Sequence, residues 1–322
     1  MISIGAWGEE PNVGYHGDNR VRGSVRWFRD DGDVDSVQEF AQQMEESAMG
    51  FFDLRANNYP IKARNTEYVT FCFSQDDILV QDVPQVARSY VVGFEAIVDS
   101  RAARHIHHFT LYGSPEATFT GSCEDADFTE LAYVWAFGAE PYALPPNVGA
   151  PLGLNGGFRS FQLEIHYDNA ALVQGVIDSS GVRLYYTTDE KEFEAGFLQL
   201  GDPDVNLYGQ SVGNGLVEHT FACPDSCSSS ILGDKKVTIL REYLHMHQTG
   251  IRMSNELVRN GSVVHTGHVD FFDFSQQGAQ TVRQSPYVVE PGDSFKTTCQ
   301  YRSRSGQEIF GLSSEEGENN LQ

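Results

Sequence analysis

The chain has 322 residues, of which 40% are hydrophobic and 12% aromatic, enough apolar content for packed cores in about two domains. Its 45 acidic residues against 22 basic ones give a net charge of −23, which argues against nucleic acid as a partner, because phosphate binding needs clustered Lys and Arg. No apolar run approaches the roughly 20 residues that span a bilayer, so no transmembrane segment is expected, and the start at Met1 lacks the basic-then-apolar pattern of a signal peptide.

The first predicted element is a helix over 35–49, where Val37, Phe40, Ala41, Met44 and Ala48 recur at helical spacing; a polar linker with incidental periodicity is the alternative. Strand-like runs rich in Val, Phe, Tyr, Thr and Ile follow at 67–73, 90–98, 108–112, 161–167 and 182–187. Three more lie at 237–243, 288–289 and 295–301. Turn signals punctuate them, among them Asn155-Gly156-Gly157, Ser180-Gly181, Asn260-Gly261 and Pro291-Gly292-Asp293. The pattern is all-β, in antiparallel sandwiches. The charged stretch Thr188-Asp189-Glu190-Lys191-Glu192 marks the expected boundary between two β domains.

Six of the ten histidines fall in three patches: His105-Ile106-His107-His108, the single His166, and His245-Met246-His247. Imidazole suits copper, zinc, iron and nickel, so ligands this far apart suggest a metal site assembled by folding. Within a strand, His245 and His247 face the same way and can reach one ion. In the first patch a regular strand would pair His105 with His107, whereas using His107 with His108 requires a bulge or strong local twist. Spacing alone leaves that choice open. A lone histidine such as His166 is more often structural than a ligand.

The remaining histidines read as ordinary. His265 and His268 are expected at exposed turn or edge positions, and His16 and His219 have no partner pattern. The five cysteines, at 72, 123, 223, 227 and 299, suggest a disulfide framework with one partner missing, and a disulfide role is preferred over zinc for Cys223 and Cys227. No phosphate loop, nucleophile elbow or His-Glu-x-x-His motif is present.

Six motifs, in order, carry a resemblance. They are Val-x-Gly-Phe-Glu-Ala from Val91 to Ala96, His107-His108-Phe109-Thr110-Leu111-Tyr112, Tyr133-Val134-Trp135-Ala136, Leu144-Pro145-x-x-Val148-Gly149, Leu163-Glu164-Ile165-His166-Tyr167, and Leu244-His245-Met246-His247-x-Thr249-Gly250. Together they resemble the copper type II, ascorbate-dependent monooxygenases, in particular dopamine β-monooxygenase-like members. The resemblance implies two tandem jelly-roll-like β-sandwich domains, at 52–190 and 191–322, facing each other across an open cleft with one copper in each. Before them, 1–30 looks like the end of a DOMON domain, through Ala6-Trp7-Gly8, Tyr15-His16-Gly17 and Arg22-Gly23, joined by a linker at 31–51.

The resemblance also implies roles. His107, His108 and His166 hold the first, electron-storing copper, while His245 and His247 are catalytic ligands of the second, where dioxygen and ascorbate's electrons hydroxylate a small-molecule C–H bond. Cys72 pairs with Cys123, while Cys223, Cys227 and Cys299 are expected to have lost partners lying beyond the end of this chain. Ascorbate serves as reductant, a homo-oligomer is admissible, and the secretory lumen or the extracellular space is the expected location.

Two departures from the family pattern stand out. Gly317 occupies the place of the Met ligand of the second copper, and the chain stops before the family's closing strand, so a truncated chain is expected, with an inactive paralogue as the alternative. Peptide-hydroxylating members carry an Arg two residues before the His-x-His pair; here it is Tyr243, which cannot offer a carboxylate a bidentate fork. The competing functional readings are a non-catalytic copper-binding module that keeps only the first site and, more remotely, a zinc β-sandwich protein.

Overall fold

A computed structural model describes residues 2–4, 25–27, 36–84, 88–116, 130–137, 139–153, 156–202, 210–211, 214–246, 249–272, 280–281, 286–303, 309–310 and 320–321. Contacts divide the chain into two units, Met1–Phe197 and Leu198–Gln322. The motifs at 6–8, 15–17 and 22–23 lie outside the described residues; beside them, strands β1 (Ile2–Ile4) and β2 (Val25–Trp27) pair antiparallel.

The first unit continues with β3 (Gly50–Arg55), β4 (Tyr59–Pro60), β5 (Thr66–Phe73), β6 (Ser89–Ile97), β7 (Ile106–Ser114), β8 (Glu130–Ala136) and β9 (Tyr142–Ala143). Then come β10 (Val148–Leu152), β11 (Ser160–Asp168), β12 (Ile177–Asp178), β13 (Gly181–Thr187) and β14 (Phe193–Glu194). One sheet has the order β14-β10-β6-β13-β3, with β9 also on β6, and the other has the order β5-β11-β7-β8. All these pairings are antiparallel except β10 with β14, which keeps 193–194 in the first unit's sheet.

Period-two alternation explains the sandwich. Leu163, Ile165 and Tyr167 of β11 and Phe109 and Leu111 of β7 are fully buried on one face of the four-stranded sheet. They meet the other sheet through Phe161 against Phe52, ring centroids 6.1 Å apart, and Tyr133 of β8 stacks on Phe94 of β6 at 4.9 Å. Each such side chain contributes about 1.5–3 kcal/mol of burial. Helix α1 (Ser36–Ser47) forms where helical spacing predicts it, burying Phe40 and Met44 against β6. Gly93 of β6 makes that approach possible, since a Cβ there would collide with Met44 Sδ. Helix α2 (Gln75–Leu79) starts from a Ser74–Asp77 capping box.

The second unit contains β15 (Gln210–Ser211), β16 (Gly215–Cys223), helix α3 (Asp225–Leu232), β17 (Val237–Ile239), β18 (Arg241–Glu242), β19 (Gly250–Arg259) and β20 (Ser262–Val269). It ends with β21 (Gln280–Thr281), β22 (Tyr287–Val289), β23 (Ser294–Ser303), β24 (Ile309–Phe310) and β25 (Asn320–Leu321). Its main sheet is antiparallel, in the order β16-β23-β19-β20. Asn260 and Gly261, with φ of 51° and 76°, form the two-residue hairpin turn between β19 and β20 that the Asn-Gly pair predicts. The run expected over 237–243 is broken into β17 and β18, each a partner of a different short strand. Met246, Phe272, Cys299 and Tyr301 form one buried cluster of this unit, and Leu257, Val289 and Phe295 another.

Candidate metal centre

The first histidine patch is built on a β-bulge. Along the β7–β11 ladder His108 faces His166, and the next pair is Ile106 with Tyr167, so His107 is an extra residue with no opposite number on β11. The bulge restores Ile106 to the core face and leaves the adjacent His107 and His108 on the other face, with His166. All three imidazoles are buried. Their possible ligand atoms lie within 4.8 Å of one another.

The ring nitrogens nearest one another are Nδ1 atoms, His107 to His108 at 2.9 Å and His108 to His166 at 3.4 Å. Metal–imidazole bonds of about 2.0–2.1 Å at interligand angles near 90–110° require nitrogen separations of about 2.9–3.4 Å. Three imidazoles form a donor set suited to copper or zinc. The residues therefore fit a bound first-row metal ion.

His105, the strand-pattern alternative, is occupied elsewhere. It ends a short 3-10 turn (Ala103–His105), where its Nδ1–H donates to the Asp168 carbonyl at 3.1 Å and its Nε2 accepts from Arg104 Nε at 3.2 Å. Both ring nitrogens are engaged in holding the turn. Two residues of β5 that the sequence patterns did not single out touch the centre instead. Thr66 Oγ1 lies 2.6 Å from His166 Nε2, and the Tyr68 ring stacks on His166 with centroids 4.2 Å apart and planes 9° from parallel. Nothing but strand register could have identified them, since Tyr68 sits directly opposite His166. Desolvation of the Tyr68 hydroxyl, with the Glu164 carboxylate, pushes its pKa up to about 12. Desolvation also raises the Glu164 carboxyl above its ordinary range.

In the second unit His245 is half-buried, with Tyr243 stacked on it at 5.8 Å and 18°. Burial raises the Tyr243 hydroxyl pKa. Residues 243–246 follow β18 without forming a strand, and Met246 is fully buried in the core. His247 and Gly317 lie outside the described residues, as does His16. His265 and His268 are on the edge strand β20: His265 stacks on Tyr287 at 3.7 Å and approaches Glu242 at 3.4 Å, and His268 is 3.7 Å from Asp270. His219 pairs with Asp202 at 3.0 Å.

Cys72 is disulfide-bonded, and Cys123 lies outside the described residues. Within this chain Cys223, Cys227 and Cys299 are free thiols. Cys223 ends β16 and hydrogen-bonds Cys227 in the first turn of α3; burial, reinforced by that thiol, raises its pKa to about 11. Cys299 is buried on β23 beside Tyr301, in a different cluster, and burial pushes it to about 11 as well.

Residues 52–174 match the copper type II ascorbate-dependent monooxygenase N-terminal domain, and residues 194–318 match the C-terminal domain of the same family. The chain is 27% identical over 279 residues to the dopamine beta-hydroxylase of Canis lupus familiaris, covering 82% of this chain and 43% of the relative. It is 28% identical over 266 residues to that of Homo sapiens, covering 78% and 42%. With the human DBH-like monooxygenase protein 1 it shares 26% over 314 residues, covering 92% and 48%. The chain thus spans less than half the length of these curated relatives. Two consecutive domain matches and a three-imidazole centre in the first of them lead to one assignment: the chain belongs to the copper type II, ascorbate-dependent monooxygenase family.

Proposed function

We propose that the chain forms the core of a monooxygenase that hydroxylates a C–H bond of a small, phenylethylamine-like substrate with dioxygen. The observation that carries this reading is the convergence of the His107, His108 and His166 Nδ1 atoms on one face of a sheet. These three would hold the first copper, and His245 with His247 would contribute to the second. Bound copper supplies one-electron chemistry between ascorbate and dioxygen. Two domains at 52–190 and 191–322, preceded by a DOMON remnant at 1–30, are part of the same proposal.

The proposed substrate class rests on Tyr243 and on the dopamine beta-hydroxylases among the relatives. A tyrosine whose hydroxyl stays protonated through neutral pH offers a neutral donor beside His245 and no cation for a carboxylate. An uncharged or cationic aromatic amine suits it better than a peptide C-terminus. The bonded Cys72, which we assign to a pair with Cys123, suits an oxidising lumen or the extracellular space.

A second reading is favoured by Gly317, which has no donor to give where the family places a Met thioether. In that reading the chain binds copper at the first site only and does not hydroxylate. Metal counting with oxygen uptake decides between them. Two coppers per chain and ascorbate-dependent uptake matched by hydroxylated amine support the enzyme; one copper and no uptake support the binding module. Hydroxylation of a glycine-extended peptide with no action on aromatic amines would overturn the substrate assignment.

A further inference from the structure

We propose that strand β5 sets His166 for metal binding, with Thr66 fixing its tautomer and Tyr68 fixing its ring plane. The inference rests on the copper reading of the three-histidine centre and names two positioning residues for it. His107 and His108 come from a single bulge, so their relative placement is a property of β7. His166 is the one ligand supplied by β11, and its orientation decides whether the set closes around an ion.

Two observations on β5 bear on that orientation independently. The first is the 2.6 Å contact between Thr66 Oγ1 and His166 Nε2. The nitrogen of His166 turned toward the other imidazoles is Nδ1, 3.4 Å from His108 Nδ1. For Nδ1 to offer its lone pair, the ring proton must reside on Nε2, where the threonine oxygen accepts it. The opposite polarity, with Thr66 donating to Nε2, would put the proton on Nδ1 and close the ligand position. A ligating histidine characteristically donates its other ring N–H in this way, and the partner tunes affinity.

The second observation is the stack of Tyr68 on His166, nearly parallel at 4.2 Å. Among the described residues β5 is the edge of its sheet and pairs only with β11, with Tyr68 directly opposite His166. Tyr68 is also 42% exposed, so its ring covers His166 on the side open to solvent. Its second aromatic neighbour in the centre is His108, tilted at 6.3 Å. A flat ring in that position resists rotation of the imidazole about its Cβ–Cγ bond, while the Thr66 contact resists flipping.

The test uses full-length protein labelled with 15N-histidine. The His166 tautomer is read in the metal-free state by long-range 1H–15N correlation, and Cu(I) affinity by competition with a chromophoric chelator in a His245→Ala background. The wild-type ring is expected to carry its proton on Nε2. Thr66→Val is expected to lose that preference and weaken copper binding about 10–100-fold, with Thr66→Ser restoring both. Tyr68→Phe keeps the stack and should leave both readouts in place. Tyr68→Leu should weaken binding and alter the Cu(II) EPR spectrum. A proton on Nδ1 in the wild type, or a folded Thr66→Val with wild-type tautomer and affinity, would overturn the proposal; if Thr66→Val does not fold, the wild-type tautomer and the Tyr68 pair still decide. Failure of the copper reading looks different: His107→Ala and His108→Ala would then bind copper as the wild type does.

Discussion

Two substitutions, His105→Ala and His108→Ala, separate the two ways in which the patch at 105–108 could meet an ion. A regular strand would offer His105 with His107; the bulge offers His107 with His108. His105 is buried, donates to the Asp168 carbonyl at 3.1 Å and accepts from Arg104 at 3.2 Å. Removing a ring that serves buried polar partners costs about 1–3 kcal/mol. At about 2 kcal/mol, the melting temperature of a unit of this size falls roughly 4–8 °C. Copper content should not change. His108 is the shared neighbour of the other two imidazoles, at 2.9 and 3.4 Å, and its loss should remove the first copper. Elemental analysis after gel filtration, paired with calorimetry, reads both effects. Loss of copper from His105→Ala, with retention in His108→Ala, would refute the bulge argument.

Three further outcomes concern the scaffold. Tyr167→Phe removes the hydroxyl that donates to the buried Asp178 at 2.7 Å; a bond to a charged partner is worth about 1.5–3 kcal/mol, so calorimetry should show a clear drop in Tm. Asp99 is held at about 2, against an ordinary 3.8, chiefly by its hydrogen bond from the Arg101 guanidinium, which with further bonds outweighs desolvation. A lowered carboxyl pKa stabilises the fold above the unfolded value and loses that contribution as pH falls through the folded one, so Asp99→Asn should lower Tm at neutral pH and have no effect below about pH 2. Gly181→Ala places a Cβ 2.7 Å from Arg55 Cα, beside the Leu54 carbonyl, and should lower the urea midpoint by an amount equivalent to about 1–3 kcal/mol or more; an unchanged midpoint would show that β3 and β13 can separate without cost.

Most of the first unit was legible because its strands obey a simple period. The runs at 67–73, 161–167 and 182–187 fall within strands β5, β11 and β13, the run at 90–98 overruns β6 by one residue, and the Asn260-Gly261 turn is a hairpin. Helix α1 resolves toward the helical alternative because Phe40 and Met44 find a buried floor at Gly93. Less legible was the second unit, where short strands such as β17, β18 and β21 carry two or three residues each and leave too few positions for a periodic signal. The proximity of two of the cysteines was not legible either. Cys-x-x-x-Cys spacing is compatible with a strand end followed by a helical turn, and that geometry brings Cys223 and Cys227 together as thiols while Cys299 is buried apart.

The histidine patch shows where periodic reading stops and why. Alternation assigns residues 105 and 107 to one face, and every neighbour in β7 from Phe109 onward follows that rule, with Phe109 and Leu111 fully buried. One inserted residue reverses the assignment upstream of it: Ile106 enters the core opposite Tyr167, and His107 turns outward beside His108. Bulges are disfavoured in ladder hydrogen bonding and are concentrated next to functional sites, so a violation of local preference here is itself informative. Family resemblance pointed to His107 and His108 without a cause. The register supplies the cause, and it also explains why Thr66 and Tyr68 escaped notice, since their relation to His166 exists only across strands 100 residues apart in sequence. A centre assembled from the β7 bulge and the inner strand β11, and buttressed by the edge strand β5, is sensitive to the pairing of β5 with β11, so changes that loosen that edge should weaken metal binding before they unfold the sandwich.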